Sequence, residues 1–169
     1  MDELPKSYRP LFLIGENDVS LDSKSRVMIP ADFRKEITEA RNGETMLICR
    51  IGDNRAPWLY PENYYRELIA RRRATLTPGE DEEAFNEAYY GMIFRLQCDA
   101  QGRVVLPEKL VKRTALRKEL TIVGAGDHLV IWNSEEWERR AARHVEMMAQ
   151  IAEKAKQSEK QNPAPPSVN

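Results

Sequence analysis

One ten-residue phrase is written twice in this chain. Leu21-Asp22-Ser23-Lys24-Ser25-Arg26-Val27-Met28-Ile29-Pro30 returns as Cys98-Asp99-Ala100-Gln101-Gly102-Arg103-Val104-Val105-Leu106-Pro107. In each copy Asp precedes Arg by four residues, an apolar run follows, and Pro closes the unit. The order has a physical reading. A short turn after Asp reverses the chain, the Val-rich run enters a buried strand, and Pro suits the first position of a helix, where its missing N–H is no loss. A chain that carries this twice folds as two like halves, with Arg26 and Arg103 at equivalent points just past a turn.

The likeness continues downstream. Ala31-Asp32-Phe33-Arg34-Lys35-Glu36-Ile37 and Glu108-Lys109-Leu110-Val111-Lys112-Arg113 each read as a short charged helix. Met46-Leu47-Ile48-Cys49 then corresponds to Leu120-Thr121-Ile122-Val123, and Trp58-Leu59-Tyr60-Pro61-Glu62 to Val130-Ile131-Trp132-Asn133-Ser134. Each half is predicted as strand, turn, strand, short helix, strand, turn, strand and longer helix, with Pro61 or Ser134 near the last cap. The class is α+β, a tandem duplication with flanking helices.

Between and beyond the repeats the pattern turns helical. Tyr64, Tyr65, Leu68 and Ile69 share one face of a helix from Pro61 that ends in Arg71-Arg72-Arg73, cations that suit a helix C-terminus but could also touch nucleic acid. Thr77-Pro78-Gly79 breaks the chain, and the acidic Glu80 to Glu83 run opens a linking helix with Phe85, Ala88, Tyr89 and Met92. From Ser134 a long amphipathic helix carries Trp137, Ala141, Val145, Met148 and Ile151 at helical spacing, a stripe for its own core or for a second subunit. The organisation expected is an N-terminal arm over 1–10, a first repeat with its helix over 11–73, a linking helix over 74–92, a second repeat with the long helix over 93–156, and a disordered tail over 157–169. In the arm, Lys6 and Arg9 could graze DNA.

Composition narrows the function. With 169 residues and 41% hydrophobic content, the chain can bury one compact core or two fused small ones. The two cysteines, Cys49 and Cys98, lie in apolar strand patterns without metal-ligand spacing, which favours buried thiols over a disulfide or a metal site. The charged start Met1-Asp2-Glu3-Leu4-Pro5-Lys6 is not a secretory signal, and no apolar run approaches membrane-spanning length, so cytoplasm is the expected place. A net charge of −1 excludes a uniformly basic coat for nucleic acid. Local charge must do that work. Basic residues cluster at Arg103, Lys109, Lys112, Arg113, Arg117 and Lys118, more loosely at Lys24, Arg26, Arg34, Lys35 and Arg41, while acids gather at 80–83. A solvated helix face accounts for most of these; Arg26 and Arg103 differ because the repeat fixes their place.

These residues resemble the MraZ family of bacterial transcription regulators, whose repeats belong to the AbrB-like, swapped-hairpin group of DNA-binding modules. The resemblance covers roughly residues 12 to 137 and is carried by Asp22, Lys24, Arg26 and Pro30, by Asp99, Gly102, Arg103 and Pro107, and by Phe33-Arg34, Val123-Gly124 and Ile131-Trp132. It implies double-stranded DNA as partner, with promoter repeats bound by a homo-oligomeric ring, autoregulation of a division and cell-wall gene cluster, and a nucleoid-associated place in the cytoplasm. Lys24, Arg26, Arg103, Gln101 and Ser23 are the expected DNA-binding residues; Asp22, Asp99 and Gly102 are expected to brace the turns. The family usually has Gly before Arg, and this chain has Ser25 in the first copy, so a positive φ there implies strain or a changed turn type. The second loop carries Gln101 where the first has Lys24, which favours the first for phosphate contact.

Two rivals remain. An enzyme would need His128 or His144, neither with a partner at metal-ligand spacing, or Asp22 and Asp99 as an acid/base pair; there is no Gly-rich phosphate loop and no nucleophile elbow. No catalysis, cofactor, metal, membrane or small-molecule substrate is expected. The second rival is a protein-interaction or antitoxin-like scaffolding ring, in which the Trp137 to Ile151 stripe is the working surface and Arg26 and Arg103 only brace their turns.

Overall fold

The computed structural model describes residues 9–73 and 79–161. The first half runs β1 (Glu16–Ser20), β2 (Arg26–Met28), α1 (Ala31–Ala40), β3 (Met46–Ile51), β4 (Pro57–Pro61) and α2 (Glu62–Arg73). A helix α3 (Glu80–Asn86) passes into a π-helical turn at Glu87–Gly91. The second half repeats the order as β5 (Phe94–Gln97), β6 (Arg103–Val105), α4 (Glu108–Thr114), β7 (Glu119–Gly124), β8 (Leu129–Asn133) and α5 (Ser134–Gln161).

The halves interleave. A six-stranded antiparallel sheet has the order β1-β7-β8-β4-β3-β5, and a separate ribbon pairs β2 with β6. The opening strand of each half therefore leaves its own half: β1 lies on β7, and β5 lies on β3. This is the tandem swapped-hairpin, α+β architecture that the family resemblance implied. One core joins both halves, with Val27, Ile29, Phe33 and Ile37 from the first packed with Val104, Leu106, Leu110 and Leu120 from the second. Each such buried apolar side chain contributes about 1.5–3 kcal/mol, so neither half holds its hydrophobic face without the other.

Local details depart from the sequence reading. Pro30 and Pro107 sit at the N-cap, with ψ of 143° in both, so the helices begin one residue later, at Ala31 and Glu108. The repeat alignment slips by one in the third strand of each half. Met46 lies opposite Gln97 while Glu119 lies opposite Ser20, which makes Met46 the counterpart of Glu119 and Leu47 that of Leu120. A strand alternates faces with a period of two, so matching the apolar runs end to end put the wrong face inward. The pairing Trp58 with Val130 holds, since Leu47 faces Pro61 and Leu120 faces Asn133. Cys98 lies just after β5 rather than within a strand.

Residues from Ser134 back form one compact unit, and residues from Glu135 onward form a second. In the second unit Val145, Met148 and Ile151 are exposed. Helix α5 continues to Gln161, past the expected start of a tail at 157, because Gln, Glu and Lys are good helix formers and the first Pro comes only at 163. The rest of that tail, the first eight residues of the arm with Lys6, and Thr77-Pro78 lie outside the described residues. Among the described residues no helix is long and apolar enough to cross a membrane.

Candidate nucleic-acid interface

The two turns are built alike, hydrogen bond for hydrogen bond. Asp22 Oδ1 accepts the backbone N–H groups of Lys24 and Arg26, both at 2.9 Å, and its Oδ2 accepts Arg26 Nε–H at 2.7 Å. Asp99 does the same for Gln101 and Arg103, at 2.9, 2.9 and 3.1 Å. An ionised carboxylate satisfied this way prefers its charged form. Both acids are held below their ordinary value, first by the backbone N–H of Arg26 or Arg103; desolvation opposes this as the next effect, and the same arginine's side chain adds to the lowering. The Asp of the repeated phrase thus shapes the turn and aims the Arg at once.

Ser25 sits at φ 57° and Gly102 at φ 88°, so the turn keeps its type in the first copy and Ser25 adopts the left-handed conformation. The closing bonds match too: Ser25 N–H to Asp22 O at 3.0 Å, and Gly102 N–H to Asp99 O at 2.9 Å. Each turn is also held by the other half, since Leu106 N–H donates to Ser25 O and Ile29 N–H to Gly102 O, both at 2.8 Å. The second turn is also covered by a side chain of the first half. Arg34 crosses Gly102 so closely that a Cβ there would come within 2.5 Å of Arg34 Cζ, and Arg34 Nε–H donates to Ile29 O at 2.9 Å. At the matching place in the second half stands Val111, which has no such arm.

Strands β2 and β6 bring the arginines onto one surface. Arg26 is paired with Val105, Val27 with Val104, and Met28 with Arg103. Val27 and Val104 are buried, so by strand alternation Arg26, Met28, Arg103 and Val105 share the outward face. The side chains of Arg26 and Arg103 are about a third exposed, at 31% and 33%, each with its Nε held by the Asp. Arg103 Nη2 also donates to Gln101 Oε1 at 2.6 Å, a link that Lys24 cannot reproduce in the first loop. Ser23, Lys24 and Gln101 are exposed at the turn tips. The expected contact residues therefore converge on one ribbon with a turn at each end. Met28 and Val105, 41% and 58% exposed, belong to the same face and were missed because the Val-rich runs read as wholly buried strands; the signal was the alternation that follows from one inward residue.

Other basic residues divide. Lys109, Lys112, Arg113, Arg117 and Lys118 are exposed. Arg9 is engaged on α1, 2.7 Å from Glu36 and 3.3 Å from Glu39, rather than held out on an arm. Arg72 donates to Tyr89 Oη at 2.8 Å, and Arg71 pairs with Glu67 at 3.6 Å.

His128 is packed between Trp58 and Tyr60, at centroid distances of 4.5 and 4.9 Å, with Nδ1 2.6 Å from Asp127 Oδ1. Tyr64 Oη–H donates to the other Asp127 oxygen at 2.6 Å. The arrangement stitches α2 to the β7–β8 turn. Among the described residues no group of three or more His, Cys, Asp or Glu is placed to hold a metal ion.

Comparison with known proteins agrees with the duplicated fold. The family described as "MraZ protein, putative antitoxin-like" matches residues 12–86 and 93–159, one match to each half. Relatives named "Transcriptional regulator MraZ" include those of Chromobacterium violaceum, 34% identical over 76% of this chain and 85% of its own, and Natranaerobius thermophilus, 32% identical over 83% and 94%. That of Clostridium tetani is 30% identical over the same shares, 83% and 94%. With a match to each repeat and relatives aligned along most of its length, the chain belongs to the MraZ family.

Proposed function

We propose that this protein is a sequence-specific DNA-binding transcriptional regulator that acts without enzymatic chemistry in the bacterial cytoplasm, at the nucleoid. The observation that carries the reading is the pair Arg26 and Arg103, both on the outward face of one two-stranded ribbon and both aimed by an Asp through Nε. A two-stranded ribbon fits the DNA major groove, and an arginine there can take the O6 and N7 of guanine or a phosphate. The names of the relatives support a role in transcription. Lys24 and Ser23 at one turn and Gln101 at the other extend the contact surface.

A nearly neutral chain with so few cations on its ribbon binds one site weakly, because phosphate contacts supply much of the affinity. Assembly into a homo-oligomeric ring, with several ribbons on repeated promoter boxes, raises the effective concentration enough for weak contacts to add. The regulated promoter in this reading is the protein's own, upstream of a division and cell-wall gene cluster.

The test is binding to labelled DNA from upstream of the gene, against shuffled DNA, at low and near-physiological salt, for wild type and Arg26→Ala/Arg103→Ala. Preference for upstream DNA that survives salt and vanishes in a folded, correctly assembled double variant supports the proposal. Equal, salt-erased binding to both DNAs rejects it. That result turns attention to a protein-scaffolding reading, which the exposed Val145, Met148 and Ile151 of α5 favour.

A further inference from the structure

We propose that the β2–β6 ribbon reads thymine methyl groups in the major groove through Met28 and Val105. The inference rests on the DNA-binding reading and names residues and a base feature that it leaves open.

Single exposed apolar side chains are ordinary, but these two are placed by register. Met28 lies opposite Arg103 and Val105 opposite Arg26, so the outward face of the ribbon is a two-by-two patch of arginine and apolar side chain, with Val27 and Val104 beneath it in the core. Directly opposite residues in an antiparallel pair have Cβ atoms about 4.5–5.5 Å apart. Any base edge within reach of an arginine is therefore beside an apolar side chain that this chain leaves about half exposed: Met28 is 41% exposed and Val105 58%. The only apolar group on the major-groove edge of the four common bases is the C5-methyl of thymine. Guanine for the arginine and thymine for its neighbour thus match the patch chemically, and both Met28 and Val105 lose exposed apolar surface on docking.

The patch also has a direction. The Lys24–Arg26–Val105 end offers a short branched side chain and an added cation, whereas the Gln101–Arg103–Met28 end offers a long flexible thioether and an amide. The pseudo-twofold of the ribbon is broken at every outward position except the arginines, so a site read this way is not palindromic.

The experiment measures the affinity of the full chain for its upstream DNA made either with thymine or with deoxyuridine in its place, which removes only the methyl groups, with shuffled DNA as reference. Burial of one methyl at about 0.8 kcal/mol corresponds to about a fourfold loss per contact. Wild type is expected to lose at least that much on uracil DNA. Met28→Ala/Val105→Ala, of wild-type oligomeric size and melting temperature, is expected to bind both DNAs equally and still to lose upstream preference when Arg26 and Arg103 are also removed. Upstream preference with equal affinity for thymine and uracil DNA overturns this proposal alone. Undiminished discrimination in the apolar double variant overturns it too, as does a change in oligomeric size, which assigns the two side chains to a contact between copies. No preference for upstream over shuffled DNA overturns the DNA-binding reading, and this one with it.

Discussion

Arg34 of α1 crosses the backbone of Gly102 and donates its Nε–H to Ile29 O at 2.9 Å, so a residue of the first half packs against the turn of the second. Two independent demands then fall on Gly102: a φ of 88° and a surface without Cβ. Gly102→Ala is expected to destabilise by about 1–3 kcal/mol, mostly from left-handed strain, with a smaller cost for moving the Arg34 side chain off its bond to Ile29 O. Adding Arg34→Val, which installs the residue found at the matching position 111, is expected to recover the clash but not the strain. Urea unfolding of the two single variants and the double gives the coupling, and simple additivity would contradict it.

Ser25 has the conformational demand without the steric one. At φ 57° it carries the penalty of a β-carbon in the left-handed region, which glycine avoids, while glycine adds chain entropy to the unfolded state. Ser25→Gly is therefore expected to stabilise by only about 0–1 kcal/mol. Thermal melts decide it; a clear loss of stability would mean that the Ser25 side chain makes a contact that outweighs the strain.

The carboxylates of Asp22 and Asp99 set the acid limit of the turns. Both are held below the ordinary carboxylate value of 3.8, first by the backbone N–H of the following Arg26 or Arg103. The sign follows from that direction. A lowered folded-state value means that the stabilisation is complete above the unfolded value and is lost as pH falls through the lower, folded one. Carboxyl-detected NMR titration should show both groups more than half ionised at pH 3.8, and Asp22→Asn or Asp99→Asn should remove the matching acid transition. Midpoints at or above 3.8 would mean that the turn bonds are not kept in solution.

The two thiols should differ in reactivity although both are free. Burial pushes Cys49 up to about 12, and burial also raises half-buried Cys98, where Arg34 works in the opposite direction. The thiolate is the reacting species, so Cys98 should be alkylated by iodoacetamide well before Cys49 in the native protein near pH 8. Mass spectrometry of a time course reads the order; equal rates, or Cys49 first, would imply that β3 opens readily.

How much of this was legible in the sequence depends on the range of the interaction involved. The Asp-to-Arg spacing announced both turns, because Asp22 and Asp99 bond backbone and side chain within four residues along the chain. The Val-rich runs announced β2 and β6, and the face of α2 that carries Tyr65 and Ile69 was readable from helical spacing. Pairing was not. That β1 leaves its own half for β7, that Met46 matches Glu119 rather than Leu120, and that Arg34 serves Gly102 are contacts between segments far apart in the chain, which no local preference encodes. Nor could alternation alone say which side of Arg26-Val27-Met28 faces out; only the shared core, by taking Val27 and Val104 inward, put Arg26, Arg103, Met28 and Val105 on one surface. The sequence by itself determined the repeat, the turns and the residues that aim the arginines, because those depend on short-range hydrogen bonding. The tertiary structure decided how the halves interlock and which side chains share the outward ribbon face, because burying apolar surface is non-directional and selects whichever pairing covers both halves at once.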